Sequence, residues 1–285
     1  MLSRILIASN LWVGLAVCAL SMLSFSEPIS AVAIFYSAFL LFGTASAYSY
    51  MRWVKLIQGE ALPSSPKLGW SNNLTIAFIS TLGMGIISLA FLKQIISLGL
   101  LYALAPGFLI AFLYPLAFPN PHRFFSSLRS IPMLKLFLIA FAWSWLSFGV
   151  PHLISEGLWT FHTYLELLMR IILVAALTIP FDVRDLDLDA AQLKTIPQLL
   201  GLEASLDLSR FLIMLYQVWV IFSYFYYGIN LTYVLAWLLG LELGQWIIKG
   251  VAKNQSDFYI SFWVESIPII VLFILFLSEL AIGNF

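Results

Sequence analysis

The stretch Ile171–Gly201, IILVAALTIPFDVRDLDLDAAQLKTIPQLLG, passes from an unbroken apolar run into a segment with four aspartates in eight residues. Its apolar part ends a run over 160–181 that is long enough to cross a bilayer, since a hydrocarbon core of about 30 Å takes roughly 20 residues at about 1.5 Å rise each. Eight further runs of the same kind centre on 5–25, 31–51, 74–92, 95–116, 133–150, 209–228, 231–248 and 260–281. Backbone groups in lipid must find their partners within the segment, and these runs lack the alternation of barrel strands. The expected fold is therefore all-α, a polytopic integral membrane bundle of about nine transmembrane helices forming one domain over residues 1–285. Composition agrees, with 62% hydrophobic and 10% charged residues, against roughly 25% charged in a soluble domain.

The first run is read as a span rather than a cleaved signal sequence, because it is long enough to cross and Val17 is bulkier than lipoprotein processing prefers before a cysteine. Cys18 is the sole cysteine, which excludes an intramolecular disulfide, and three scattered histidines make no Cys/His metal cluster. The net charge of zero says nothing about partners, but its distribution is informative. Of fourteen bases, twelve (Arg4, Arg52, Lys55, Lys67, Arg123, Arg129, Lys135, Arg184, Lys194, Arg210, Lys249 and Lys253) fall at the N-terminus or after even-numbered runs. The positive-inside rule then places the N-terminus and the aspartate stretch in the cytoplasm, in a cell or inner membrane.

On a helix continuing from the sixth run, Asp182, Asp185 and Asp189 stand at i, i+3 and i+7, on one face, with Asp187 turned away. Like charges so placed repel unless a cation joins them, and Mg²⁺ suits oxygen ligands shared with a substrate phosphate. A solvated acidic loop is the other reading of the same spacing. KTIPQLLG adds Lys194, a helix-breaking Pro197 and Gly201, which describe an ordered turn at a helix mouth.

In these residues the chain resembles the UbiA superfamily of intramembrane prenyltransferases. Those proteins have nine transmembrane helices and, after the sixth, a DxxxD-type run followed by a base, Thr, a hydrophobic residue, Pro and a terminal LG. Asp185, Asp189, Lys194, Thr195, Ile196, Pro197, Leu200 and Gly201 follow that order. A second likeness lies in LYPLAFPNPHRFFSSLRSIPMLK, where Tyr114, Pro115 and the bases beyond, Arg123 among them, resemble the loop after helix 4. The resemblance implies transfer of an isoprenyl group from a prenyl diphosphate to an aromatic or lipid acceptor in the membrane. It also implies Mg²⁺ held by two aspartate-rich segments, of which Asp182, Asp185 and Asp189 would be one. The expected partners are a prenyl diphosphate, a lipophilic acceptor and the bilayer, with no nucleic acid.

The other aspartate segment belongs near the end of the second run, yet Leu40–Gly59, LLFGTASAYSYMRWVKLIQG, holds no acidic residue. It offers instead Tyr48, Arg52 and Lys55, spaced i, i+4 and i+7 on one helical face. Bases bind diphosphate directly, Arg in bidentate fashion, so a cationic clamp could stand in for the metal bridge. Interfacial anchoring is the alternative role for the two bases. Glu166 and Arg170, at i and i+4 inside the sixth run, are expected to form a structural ion pair, because an unpaired charge there costs at least about 2.5–3.5 kcal/mol, with orientation of the headgroup pocket as the alternative role. Glu242 and Glu265 are expected as interior polar contacts. Two readings of function remain: a UbiA-like transferase with an altered donor site, or a non-catalytic UbiA-like protein that binds an isoprenoid or lipid. A transporter fits less well, since no pair of broken spans marks an inverted-repeat site.

Overall fold

The computed structural model describes residues 2–57, 74–87 except 77 and 85, 98–116, 131, 133–155, 157–187, 193–254 and 256–282. Every element among the described residues is helical. In chain order they are α1 Leu2–Ala8, α2 Leu11–Met22, α3 Ala31–Ile57, α4 Leu98–Leu113, α5 Leu134–Ser155, α6 Phe161–Arg184, α7 Ile196–Leu200, α8 Leu202–Tyr227, α9 Leu231–Val251 and α10 Asp257–Ile282. Helical residues at 74–76, 78–84 and 86–87 stand where the third run is expected. Helices α3, α5, α6, α8, α9 and α10 are each long and apolar enough to cross a membrane, and α1 with α2 makes a seventh span if the two are counted as one. The chain is an integral membrane helical bundle.

The first run is not one straight span. α1 and α2 meet at 80°, with Asn10 between them in the left-handed region at φ 59°, which asparagine tolerates better than most residues. The Asn10 side chain is buried, and its amide donates to Ser49 Oγ on α3 at 2.8 Å, which fixes the corner. The seventh run also differs, since α8 begins at Leu202 instead of 209. Lys194 and Gly201 both take positive φ around the short α7, whose start is closed by Thr195 N–H donating to Gln198 Oε1 at 3.1 Å. The KTIPQLLG segment is thus an ordered turn, as expected.

Prolines interrupt three of the spans, and at two of the interruptions a neighbouring helix supplies the missing donor. Pro180 has no N–H for Ala176 O, which accepts from Ser209 Oγ of α8 at 2.7 Å. α5 and α10 widen into π turns at Trp145–Gly149 and Ile260–Val264, shortly before Pro151 and Pro268. Leu146 O, five residues before Pro151, accepts from the Tyr36 hydroxyl at 2.7 Å, whereas Phe262 O, six before Pro268, accepts from Trp12 Nε1 at 2.9 Å in addition to the Ser266 N–H at 3.1 Å and is not a carbonyl that the proline leaves bare. In lipid no solvent would repair such a break, so the donors that reach Ala176 O and Leu146 O are what makes those two tolerable.

Helices in a bilayer gain little from hiding apolar surface from one another and instead depend on close packing. Gly240 and Gly244, four apart on α9, let α10 approach so closely that added Cβ atoms would stand 2.5 Å from Val271 Cγ2 and 2.9 Å from Ile267 Cγ2. One core cluster joins α6, α8, α9 and α10 through Leu173, Ile213, Trp237, Leu241 and Val271. The other joins α2 to α5 through Val17, Tyr36, Leu104 and Val150, and Trp143 packs against both. Between the two clusters a cavity opens toward the end of the bundle where α6 stops.

Candidate functional site

α6 ends at Arg184, and Asp185 is its C-cap at φ −88°, ψ 4°, with residues 185–187 in a turn. The helix assumed to carry three carboxylates on one face therefore does not continue, and the i, i+3, i+7 register breaks after Asp185. Asp182 lies in the last helical turn and is 2% exposed, Asp187 is exposed, and Asp189 lies outside the described residues.

Each described aspartate of the pair meets a base. Lys135 Nζ of α5 stands 2.7 Å from Asp182 Oδ1. Arg184 grips Asp185 with both prongs, Nε to Oδ1 at 2.7 Å and Nη2 to Oδ2 at 3.1 Å, while its Nη1 donates to Ser261 Oγ at 3.0 Å on the π turn of α10. Asp257 is 3.8 Å from the same guanidinium. Burial works to raise the Asp185 carboxyl, but Arg184 outweighs it and holds the group below its usual range.

These groups rim a cavity of about 270 Å³, with Val13, Leu40, Phe108, Leu146 and Val174 deeper inside. From α3, Tyr48, Arg52 and Lys55 all line it, as their i, i+4, i+7 spacing implies, and Tyr114 lines it from beyond α4. Glu265 joins them from α10, within electrostatic reach of Arg52 and Arg184. Four bases (Arg52, Lys55, Lys135 and Arg184) thus share the rim with three acids (Asp182, Asp185 and Glu265). Arg52 has a second task, since its Nη1 donates to Ala8 O at 3.2 Å and so satisfies a carbonyl at the end of α1.

Six of the nine site residues expected from the sequence therefore converge: Tyr48, Arg52, Lys55, Tyr114, Asp182 and Asp185. Lys194 is exposed, next to α7, and does not line the cavity. Arg123, like Asp189, lies outside the described residues. Lys135 and Arg184 were expected only as orienting charges. Arg184 stands inside the aspartate stretch itself, a signal available in the sequence, whereas only the fold brings Lys135 to Asp182. Glu265 is interior as expected, but Glu242 is exposed and accepts from Trp246 Nε1 at 3.2 Å, so its expected interior role is corrected.

Mg²⁺ fits this donor set poorly. A dication is held by carboxylate oxygens, and here both described aspartates already have a cationic nitrogen at 2.7 Å. Among the described residues no group of three His, Cys, Asp or Glu side chains is close enough to hold a metal. Asp182 and Asp185 as placed stand against bases, and Asp189, the third expected ligand, lies outside the described residues.

Two solved structures match the chain over nearly its whole length. One is an apo UbiA homolog from Aeropyrum pernix K1, with a TM-score of 0.63 and 14% identity over 95% of this chain and 98% of that one. The other is a digeranylgeranylglyceryl phosphate synthase, with a TM-score of 0.54 and 14% identity over 98% of this chain and 97% of that one. No protein family model and no curated protein matches the sequence. The chain has the fold of UbiA-type membrane prenyltransferases.

Proposed function

We propose that this protein binds an isoprenyl diphosphate, with the tail in the apolar cavity and the diphosphate at the base-rich rim, and transfers the prenyl group to a lipophilic acceptor. The observation that carries this reading is the convergence of Tyr48, Arg52, Lys55, Lys135 and Arg184 on the rim of one cavity lined deeper in by apolar side chains. Asp182 and Asp185 hold Lys135 and Arg184 in place, and Lys and Arg have further N–H donors for phosphate oxygens. In the transfer, the bond from the allylic carbon to the diphosphate oxygen breaks, and its electron pair leaves with the diphosphate. The acceptor forms the new bond and loses a proton. The rim bases stabilise charge gathering on the leaving group, and the apolar walls keep water from the allylic cation. No step is assigned to a metal.

The absence of acids in Leu40–Gly59 favours a second reading, in which the same site binds the isoprenoid or a lipid phosphate without catalysis. Incubation of the purified protein with radiolabelled prenyl diphosphates and membrane lipids separates the two. Release of diphosphate together with a prenylated lipid supports transfer, saturable binding without turnover supports the second reading, and neither binding nor turnover refutes both.

A further inference from the structure

A second cavity, about 790 Å³, lies where α6 begins, at the opposite end of the bundle from Asp182 and Asp185. The connection between α2 and α3 covers one side of it, and residues of α5, α6, α8, α9, α10 and the α8–α9 turn supply the rest. Its inner wall carries the Glu166–Arg170 pair, 2.7 Å apart as expected for an i, i+4 ion pair. The surroundings exceed what such a pair needs. Glu166 accepts from Arg170 Nε, from the Tyr216 hydroxyl at 3.1 Å and from Trp219 Nε1, so both carboxylate oxygens are engaged. Arg170 Nη2 donates to Tyr233 Oη at 2.8 Å, and that hydroxyl donates onward to Leu23 O at 3.0 Å. The guanidinium lies 4.5 Å from the Trp237 ring centre and 5.7 Å from those of Phe148 and Tyr216, which fixes its plane.

Arg170 is 1% exposed, yet its Nη1 has no hydrogen-bond partner. Ser223 Oγ and His162 Nε2 line the same cavity and are likewise buried without partners. A purely structural ion pair deep in a bundle would have its donors satisfied by its neighbours, because each unmet buried group costs free energy. Of these three atoms, Arg170 Nη1 and the Ser223 hydroxyl can donate to an oxygen atom, and His162 Nε2 does so in the tautomer that carries its proton there.

The charges decide which oxygens. Glu27, Glu166 and Glu279 line the cavity against the single guanidinium of Arg170, so an anionic headgroup meets net negative charge. Most of the remaining wall is apolar, including Phe25, Ile229 and Leu275. We infer that this cavity is a second ligand site, for an uncharged lipid whose carbonyl oxygen accepts from Arg170 Nη1 while its tail lies against the apolar wall. This site is independent of the diphosphate reading.

An alkoxybenzophenone tests it, because its ketone is the proposed acceptor and its excited state inserts into nearby C–H bonds. The full chain in nanodiscs is irradiated with this probe, and adducts are mapped by mass spectrometry. Adducts on 162–170, 216–233 and the α2–α3 connection are expected. Competition by dioleoylglycerol identifies an ester carbonyl as the source, and competition by a long-chain dialkyl ketone alone identifies a ketone. Arg170→Lys keeps a cation beside Glu166 but removes Nη1, and should cut labelling about tenfold, the loss of one charged hydrogen bond. Ser223→Ala removes a single hydroxyl and decides the matter if the lysine variant does not fold; it should cut labelling severalfold. Labelling spread over the lipid face, unchanged by the variants, or competed equally by hexadecane would mean only an apolar groove or a water-filled dimple. Better competition by an anionic phosphatidate than by dioleoylglycerol would overturn the uncharged class.

Discussion

Replacing Lys135 by Met asks whether bases or a dication neutralise the diphosphate. Lys135 and Asp182 are 2.7 Å apart, with Asp182 2% and Lys135 13% exposed. Deleting one member of so buried a pair takes away the other's counter-charge at 2.7 Å, which costs about 3–5 kcal/mol of stability. The double variant Lys135→Met/Asp182→Asn removes the stranded charge and should recover most of that loss. Ligand affinity should behave differently. If Lys135 donates to phosphate, its removal costs one charge-assisted hydrogen bond, about 1.5–3 kcal/mol, or roughly tenfold to a hundredfold in Kd. The double variant should stay weak although it is stable. Isothermal titration of nanodisc-held protein with a non-reactive isoprenyl diphosphate analogue reads this, in Mg²⁺ and again in EDTA. The wild type should keep its affinity in EDTA within about threefold, a difference under about 1 kcal/mol. Collapse of wild-type binding in EDTA, with Lys135→Met unchanged or tighter in Mg²⁺, would refute the argument. A freed Asp182 would then be serving a metal, as the aspartate spacing alone implies.

Gly240→Ala should lower the unfolding temperature in detergent, because its Cβ would meet Val271 Cγ2 at 2.5 Å and Val271 Cα at 2.9 Å, an overpacking cost of about 1–3 kcal/mol. Leu239→Ala on the exposed side of α9 is the control, and an equal shift would mean that the close α9–α10 approach is not what the glycine provides. A cysteine at the exposed Lys194, in a Cys18→Ser background, should react only with reagent on the cytoplasmic side; exclusive labelling from outside would reverse the orientation read from the bases. Asp185 lies below its usual carboxyl range in the folded chain. Its stabilising contribution is therefore present above its unfolded pKa, about 3.9, and lost as pH falls through the lower folded value. The wild type should lose stability over that window more steeply than Asp185→Asn, and parallel curves would show that the Arg184 contact contributes nothing.

Most of the span pattern was legible because a membrane helix must satisfy its own backbone, which forces long apolar runs that any reader of the sequence can count. The corner at Asn10 was not, because a left-handed residue inside an apolar run leaves no trace in hydropathy; it depends on Ser49, thirty-nine residues away. The early start of α8 was missed because Leu202–Leu208 carries Glu203 and Asp207, and an apolarity criterion discards a helical turn that projects beyond the membrane. The proline repairs were hidden for a similar reason. Pro180 announces an interruption, but the Ser209 hydroxyl that answers Ala176 O is known only once α6 and α8 are side by side.

The site divides along the same line between local and long-range information. Tyr48, Arg52 and Lys55 share a face because helical spacing fixes it, and the cavity confirms that face. Asp182 and Asp185 line the cavity beside Lys135 and Arg184, and Lys135 is a neighbour that spacing along one helix could not announce, because it arrives from another. Lys135 comes from the start of α5, and Met133 N–H donating to Leu193 O at 3.3 Å ties that start to the segment after the aspartates. This contact helps make the carboxylate pair a cradle for bases. The empty first motif then has a physical counterpart in the second. A rim that lacks acids on α3 and pairs its acids on α6 with Lys135 and Arg184 carries four bases against three acids, one base in surplus, before any ligand arrives. Recruiting a dication would first have to break two short ion pairs, whereas recruiting a phosphate requires only that Arg52, Lys55 and the outward N–H groups of the paired bases turn toward it. On charge alone the site is better suited to the anion than to the metal.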